Sequence, residues 1–187
     1  MRKTILTLMF LVLIIGVYPV IGNAAEVPAQ PDTGSFGLGV RGGWYKIRDA
    51  DEGKFYGGIQ ARFRVMPWLA IEGSTDYRAP SYYSGGRKIT SWPFLVSALI
   101  YPIPKSFFSP YILGGGGLYY SHLENSTSYY NNAWGWHAGL GFDVPLYKRL
   151  ILNVEARYTW VSFDENNFRD INGNGYTVAA GVTYYFW

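Results

Sequence analysis

The sequence predicts an all-β protein, an eight-stranded antiparallel up-and-down β-barrel that crosses a membrane with its strands. Two observations lead to this prediction. From residue 176 onward, apolar and smaller residues alternate up to the aromatic end of the chain, which is the period-two pattern of a strand. A bare apolar edge strand invites aggregation, whereas a closed barrel in lipid has no edge and needs an apolar outer face. The chain also has 17 Tyr, 7 Trp and 23 Gly among 187 residues, and aromatic residues favour strands and membrane interfaces.

The first residues predict a cleaved signal peptide. A short basic start, Met1-Arg2-Lys3, precedes an apolar run from 5 to 21 and the small residues Gly22-Asn23-Ala24-Ala25, which is the order of a secretory signal. The alternative is an uncleaved anchor, but Gly16 and Pro19 interrupt the apolar run. The predicted domains are therefore a signal peptide over 1–24, a short periplasmic lead-in over 25–34 and a transmembrane barrel over 35–187.

Charge and cysteine content exclude several classes. Without Arg2 and Lys3, 14 basic residues face 13 acidic ones, so the mature chain has no strong basic excess and no nucleic-acid partner is expected. The sequence has no cysteine, which excludes disulfides and a lipidated cysteine. Backbone pairing and burial must therefore hold the fold together.

Eight segments have strand character, each about as long as a tilted membrane span requires. In 133–144, Trp134, Trp136 and Leu140 share one parity, while His137 and Asp143 share the other. Leu95 and Leu99 interrupt this alternation in the fourth segment, and four glycines at 114–117 leave the faces of the fifth unassigned. The predicted strands are 35–46, 54–65, 69–78, 88–101, 110–121, 133–144, 150–163 and 176–187.

The connections between these segments alternate in character. The stretches 66–68, 102–109 and 145–149 are compact, whereas 47–53, 79–87, 122–132 and 164–174 are more polar. Short periplasmic turns and longer outer loops have this arrangement. Every lysine beyond the signal lies at a predicted strand end or turn, although a soluble barrel would scatter lysine over its outer face. These lysines are Lys46, Lys54, Lys88, Lys105 and Lys148.

The inward parity of the predicted strands carries four basic and four acidic side chains. Eight strands enclose a space just wide enough for side chains, so we expect these charges to pair and fill the lumen. The alternative is a gated or narrow conduit lined by the same charges. The predicted lumen network comprises Arg41, Arg62, Arg64, Glu72, Asp76, Asp143, Glu155 and Arg157.

Three further motifs have ordinary structural interpretations. Residues 170–175 read D-x-N-x-N-G, the start of a calcium loop, but Gly181 stands where the twelfth-position glutamate belongs, so a surface turn is predicted. No Lys-Ser/Thr follows the glycines at 114–117, so we predict close packing between strands there and not a phosphate-binding loop. His122 is interpreted as a loop histidine. Because Ser121 and Glu124 are near it in the sequence, a catalytic triad remains the alternative. We predict no catalytic residue, metal or cofactor.

The chain resembles, over its whole mature length, the small eight-stranded outer-membrane barrel family that includes OmpA-, OmpX-, OmpW- and opacity-type barrels. Its ending is similar to that family's assembly signal, an alternation that closes on a final aromatic. Here Phe186 keeps the alternation and Trp187 follows as one extra residue. The stretch 110–117 is similar to the family's PY-x-x-x-G-x-G. The residues of the predicted assembly signal are Val182, Tyr184, Phe186 and Trp187.

This resemblance implies location in the cell outer membrane, with outer-membrane lipids, lipopolysaccharide and the barrel assembly machinery as partners. It also implies a non-catalytic structural or surface-interaction role through four extracellular loops that meet an unidentified ligand. One alternative is an OmpW-like narrow channel for small or hydrophobic molecules. Another is a lipid A-modifying enzyme, although the deacylase His-x-Ser motif is absent: His122 is followed by Leu123-Glu124, and His137 by Ala138-Gly139.

Overall fold

The computed structural model describes residues 30–48, 52–83, 87–104, 106–124, 129–161 and 174–186. The predicted signal peptide, most of the predicted lead-in and Trp187 lie outside the described residues. So does most of the calcium-like stretch 170–175. The side chains of 79–83, 87–90, 121–124 and 129–131, among them His122, also lie outside the described part. No helix among the described residues is long and apolar enough to cross a membrane.

Eight strands form a closed barrel in chain order, as the sequence predicts. Each strand pairs antiparallel with the next, and β1 pairs with β8 over twelve residue pairs to close the cylinder. Closure gives every strand two partners and leaves no free edge. The strands are β1 Phe36–Ile47, β2 Lys54–Met66, β3 Leu69–Tyr83, β4 Arg87–Ile100, β5 Ser109–Glu124, β6 Tyr129–Tyr147, β7 Leu150–Val161 and β8 Gly175–Phe186.

The two ends of the barrel differ. The start of β1, the end of β8 and the connections β2–β3, β4–β5 and β6–β7 lie at one end, called here the proximal end. The other four connections lie at the opposite, distal end. Near the proximal end, the backbone N–H of Tyr101 donates to the carbonyl of Trp68 and that of Tyr185 donates to the carbonyl of Arg149, both at 2.8 Å. These bonds tie each turn to the neighbouring strand.

Three strands extend beyond their predicted bounds. β3 continues to Tyr83, and β5 and β6 pair as far as Leu123 and Tyr129. The predicted loops 79–87 and 122–132 are therefore partly strand, because cross-strand hydrogen bonding overrides their polar composition. β6 likewise continues past Pro145, where a register shift between Pro145 and Tyr147 accommodates a residue that has no N–H to donate.

Side chains alternate between an exposed apolar outer face and a buried interior, as predicted. Phe55, Trp134 and Trp136 have 78%, 65% and 69% of their surface exposed, values that would be unfavourable in water and are natural in lipid. The structure also settles β5, where Tyr111 and Tyr119 face inward and are buried. The period-two pattern therefore separates a lipid-facing wall from a filled lumen.

Leu95 and Leu99, which interrupt the alternation of β4, face the lumen and have a packing role there. Leu99 contributes to a proximal apolar cluster, and Leu95 to a distal one. A further distal cluster contains Tyr45 and Tyr56. The lumen therefore has apolar clusters toward both ends, with the polar side chains between them. The proximal cluster is Ala70, Leu99, Tyr101, Tyr111 and Leu113, and the larger distal one is Leu95, Tyr119, Ala133 and Val161.

The glycines on the inner wall allow large side chains to lie flat against it. A methyl group on Gly141 would lie 2.5 Å from Cζ of Tyr111 and 2.5 Å from the carbonyl oxygen of Val154. A methyl group on the outward-facing Gly73 would meet nothing within 4 Å. The inner glycines are therefore a packing requirement, while this outer one is not.

We predict that Gly141→Ala destabilises the barrel by about 1–3 kcal/mol, because Tyr111 must move away from the wall. The matched variant Gly73→Ala adds a methyl group in open space and leaves stability unchanged or slightly higher. Urea denaturation of the protein folded in lipid vesicles measures both values. Equal effects of the two substitutions would contradict the packing assigned to Gly141.

Candidate functional site: the ionic network in the lumen

Five strands direct charged side chains into the middle of the barrel. β1, β2 and β3 provide Arg41, Arg62, Glu72 and Asp76, while β6 and β7 provide the rest. All of them are buried, and Arg62, Glu72 and Asp143 have no exposed surface. We call this group the lumen network; its members are Arg41, Arg62, Glu72, Asp76, Asp143, Glu155 and Arg157.

Arg41 binds three of the four carboxylates. Its Nε lies 2.7 Å from Oδ1 of Asp76, and its Nη2 lies 2.8 Å from Oδ2 of the same carboxylate. Its Nη1 donates to Glu72 at 3.4 Å and to Glu155 at 3.2 Å. The two parallel bonds to Asp76 form the bidentate pair that a guanidinium fork favours, so Arg41 links β1 to β3 and β7 across the lumen.

Arg62 forms the proximal part of the lumen network. Its Nε donates to Oε2 of Glu72 at 2.6 Å, and its Nη1 donates to Oδ1 of Asp143 at 3.0 Å. Asp143 also accepts hydrogen bonds from the hydroxyl of Tyr101 and from Nδ2 of Asn153, each at 2.8 Å. Both oxygens of this carboxylate are therefore satisfied although it is fully buried.

Glu72 is the centre of the lumen network because three guanidinium groups converge on it. Besides Arg41 and Arg62, Nη2 of Arg157 lies 3.2 Å from its Oε1. The same Nη2 also contacts Oε1 of Glu155. Four carboxylates thus share three guanidinium groups, and the bonds cross the lumen between strands that are far apart in sequence.

A neutral polar cluster lies beside these charges, and the sequence analysis missed it. Nε2 of Gln60 donates to Oδ1 of Asn153 at 2.8 Å and to the hydroxyl of Thr183 at 2.7 Å. Thr183 in turn donates to Oδ1 of Asn153 at 2.6 Å. The inward parity of Gln60 and Asn153 is readable from the sequence, but which partners meet across the lumen depends on barrel closure.

Two further arginines face the lumen outside this network. Arg64, which the sequence places among the paired charges, has its guanidinium carbon 4.0 Å from the ring centroid of Tyr101, so its described contact is a cation–π interaction. Arg78 is buried near the distal end and lies among three tyrosine rings. The sequence feature that could have placed Arg78 in the lumen is its even spacing from Glu72 and Asp76, which puts all three side chains on one face of β3.

The burial of this network makes it a structural element. A buried ion is costly unless opposite charges and hydrogen bonds surround it. Here the three guanidinium groups bridge β1, β2 and β7 to carboxylates on β3, β6 and β7. The interior of an eight-stranded barrel is just wide enough for side chains to fill it. The ion pairs of the lumen network therefore occupy the cross-section through which a solute would pass.

The histidine in the lumen forms an incomplete catalytic arrangement. Nε2 of His137 lies 2.8 Å from the hydroxyl oxygen of Ser97, as in a nucleophile–base pair. Its Nδ1 has no hydrogen-bond partner among the described residues, so the carboxylate that orients a triad histidine is not seen there. No group of three or more His, Asp or Glu side chains in the described ranges could hold a metal ion.

Comparisons with known proteins agree with this architecture. The family model of the outer membrane protein beta-barrel domain matches residues 15–186. Neisserial surface protein A has a TM-score of 0.67 and 14% identity, covering 84% of this chain and 100% of its own. OprG from Pseudomonas aeruginosa has a TM-score of 0.59 and 18% identity, covering 83% of this chain and 97% of its own. At these identities the structural likeness concerns the fold. No curated protein matches the chain.

We predict that Arg157→Ala and Glu155→Ala each destabilise the barrel by about 3–5 kcal/mol, because each removes one of the two partners of a buried charge. The control is Glu52→Ala, which removes a pair with Lys54 whose carboxylate side chain is 78% exposed. It changes stability by less than about 1 kcal/mol. Unfolding free energies in lipid vesicles give the three values, and unchanged stability of both lumen variants would refute the structural role.

Proposed function

The chain belongs to the outer membrane protein beta-barrel domain family and is an integral barrel of the outer membrane, and on that premise we propose that it acts without catalysis through its extracellular surface. The observation that carries this proposal is the lumen network. Three guanidinium groups bridge four carboxylates across the middle of the barrel. A filled lumen leaves the surface as the part available to other molecules.

The proposed acting surface is the distal end. Outer-membrane barrels have short turns on the periplasmic side and longer loops outside. The proximal connections 67–68 and 148–149 have two residues each and the distal connection 162–174 is the longest, which supports a periplasmic proximal end and an extracellular distal end. The four distal connections would then form four extracellular loops. Their sequences include Asn125-Ser126-Thr127-Ser128, and the distal ends of the flanking strands carry Tyr82-Tyr83 and Tyr129-Tyr130. Tyrosine with small polar residues suits adaptable recognition, and loops on a rigid scaffold commonly carry binding.

A narrow channel for small or hydrophobic molecules is the second candidate; one observation favours a path through the lumen, and another favours a hydrophobic molecule on the outer wall. Nε and Nη1 of Arg157 and Oε2 of Glu155 are buried and have no partner among the described residues, so the distal side of the lumen network offers positions for water. An apolar groove of about 860 Å³ also runs along the lipid-facing wall, past Gly73, Gly116 and Trp136. A hydrophobic molecule could lie there. We do not propose lipid A modification, because neither His122-Leu123-Glu124 nor His137-Ala138-Gly139 has the His-x-Ser motif of the deacylases.

We predict that the wild-type protein shows no stepwise ion current in planar bilayers, because the lumen network blocks the cross-section. The double variant Arg62→Ala/Asp143→Ala removes one bridge and both of its charges, and it should produce measurable current. Folding of each sample is checked by the mobility shift of unboiled protein on a gel. Stepwise currents from the wild type would favour the channel and overturn the closed-lumen proposal.

We predict that Ser126→Cys reacts with a membrane-impermeant maleimide in intact cells, because Ser126 belongs to the distal connection between β5 and β6. The control Ser106→Cys lies in the proximal connection between β4 and β5 and should react only after the outer membrane is permeabilised. The native chain has no cysteine, so the label reports the introduced residue alone. Labelling of Ser106→Cys but not of Ser126→Cys in intact cells would mean that the proximal end is extracellular and that the proposed acting surface lies in the periplasm.

A further inference from the structure

Arg78 lies on the inner face of β3, toward the distal end of the lumen. It is 6% exposed. Its guanidinium carbon lies 5.0 Å from the ring centroid of Tyr45, 6.0 Å from that of Tyr56 and 5.7 Å from that of Tyr119. We call these four residues the Arg78 cluster. Rings at these distances attract the cation by its charge, and they come from β1, β2 and β5, so they surround it from several sides.

Four polar atoms of Arg78, Tyr56 and Tyr119 are buried and have no hydrogen-bond partner among the described residues. Nε and Nη2 of Arg78 are buried and have no hydrogen-bond partner among the described residues. The hydroxyl groups of Tyr56 and Tyr119 are also buried without a partner. A buried polar group without a partner costs free energy, and the cost is larger for a charged one. Ring faces attract a guanidinium but are weak acceptors for its N–H groups, so the rings alone do not satisfy it.

The carboxylates of the lumen are already committed elsewhere. Asp76, the carboxylate nearest to Arg78 along β3, receives both bonds of the bidentate pair with Arg41. Glu72 and Asp143 lie further toward the proximal end and pair with Arg62. Within the described part of the chain, the positive charge of Arg78 is therefore matched by ring faces and by no carboxylate. Arg62 is different, since its guanidinium group bonds Glu72, Asp143 and Tyr111.

We propose that the Arg78 cluster is a binding site for a small anion, carrying a carboxylate or phosphate group, that enters the lumen from the extracellular end. The guanidinium group would donate two N–H bonds to two oxygen atoms of the anion, which is the geometry that arginine favours. The hydroxyl groups of Tyr56 and Tyr119 would donate further bonds. The surrounding rings exclude water, and charge-assisted bonds are stronger there than in solution.

Entry from the distal side follows from the position of the lumen network. The bridges of Arg41, Arg62 and Arg157 lie between the Arg78 cluster and the proximal end, and they close the route from the periplasm. An anion bound at Arg78 would rest on the closed part of the lumen. The site therefore does not require conduction, and it is independent of what the loops bind.

The test measures anion binding by calorimetry with the detergent-folded protein in a buffer of a bulky organic anion. Sodium acetate, inorganic phosphate, sulfate and chloride are titrated separately, so that carboxylate, oxyanion and halide chemistry are distinguished. Short-chain phosphatidic acid is a further arm, because it separates a lipid phosphate from free phosphate. We expect saturable binding of acetate or inorganic phosphate with one anion per barrel.

Two variants locate the site. Arg78→Gln should weaken binding at least about tenfold, as expected when a charged hydrogen-bonding partner is lost. The double variant Tyr56→Phe/Tyr119→Phe keeps all rings and removes only the hydroxyl donors, so it should also weaken binding and should fold like the wild type. The control is Arg64→Gln, since Arg64 also lies over a tyrosine ring but near the proximal end; it should bind like the wild type.

Several outcomes would overturn the proposal. These are no saturable binding of acetate or phosphate, unchanged affinity in both the Arg78 and the tyrosine variants, or equal loss in Arg64→Gln. Binding of short-chain phosphatidic acid without binding of acetate or inorganic phosphate would also contradict entry of the anion from solution. The unboiled mobility shift verifies that each sample is folded. If Arg78→Gln does not fold, the tyrosine double variant decides the result.

Discussion

The structure depends on the need to neutralise buried charge inside a narrow barrel. Lipid surrounds the wall, so each ionised side chain in the lumen needs partners from other strands. Glu72 shows the consequence most clearly, because guanidinium groups from β1, β2 and β7 converge on it. Only the correct closed cylinder brings these three strands around one carboxylate. The charged side chains therefore favour the closed barrel, and they also fill its lumen.

Backbone register and side-chain pairing support each other. β1 pairs with β8 in one continuous register from Phe36 to Ile47, and this pairing holds Arg41 within reach of Glu155 on β7. A slip by one residue would turn every charge toward lipid and every apolar side chain toward the lumen. The apolar clusters toward the two ends lie on either side of these ion pairs.

The lumen thus has two different polar regions. In the lumen network and the neutral cluster beside it, side chains such as Asp143 and Asn153 have several partners, which suits a rigid closure. Toward the distal end, Arg78, Tyr56 and Tyr119 have buried donors without a partner in the described part of the chain. This asymmetry assigns stability to the middle of the lumen and leaves the distal end chemically available. Such a division fits an outer-membrane protein that meets its environment from one side.

The sequence alone determined the number of strands, the faces of most of them and the inward position of the charges, because a period of two separates a lipid face from a lumen along those strands. Only the tertiary structure decided which charges pair, since partners such as Arg41 and Glu155 lie 114 residues apart and meet through strand register and closure. It also showed that Leu95 and Leu99 pack inside the lumen and that tyrosine rings surround Arg64 and Arg78. Three strands, β3, β5 and β6, extend further toward the distal end than the sequence predicts. These features depend on what lies across the lumen, and a local pattern along one strand contains no information about the opposite wall.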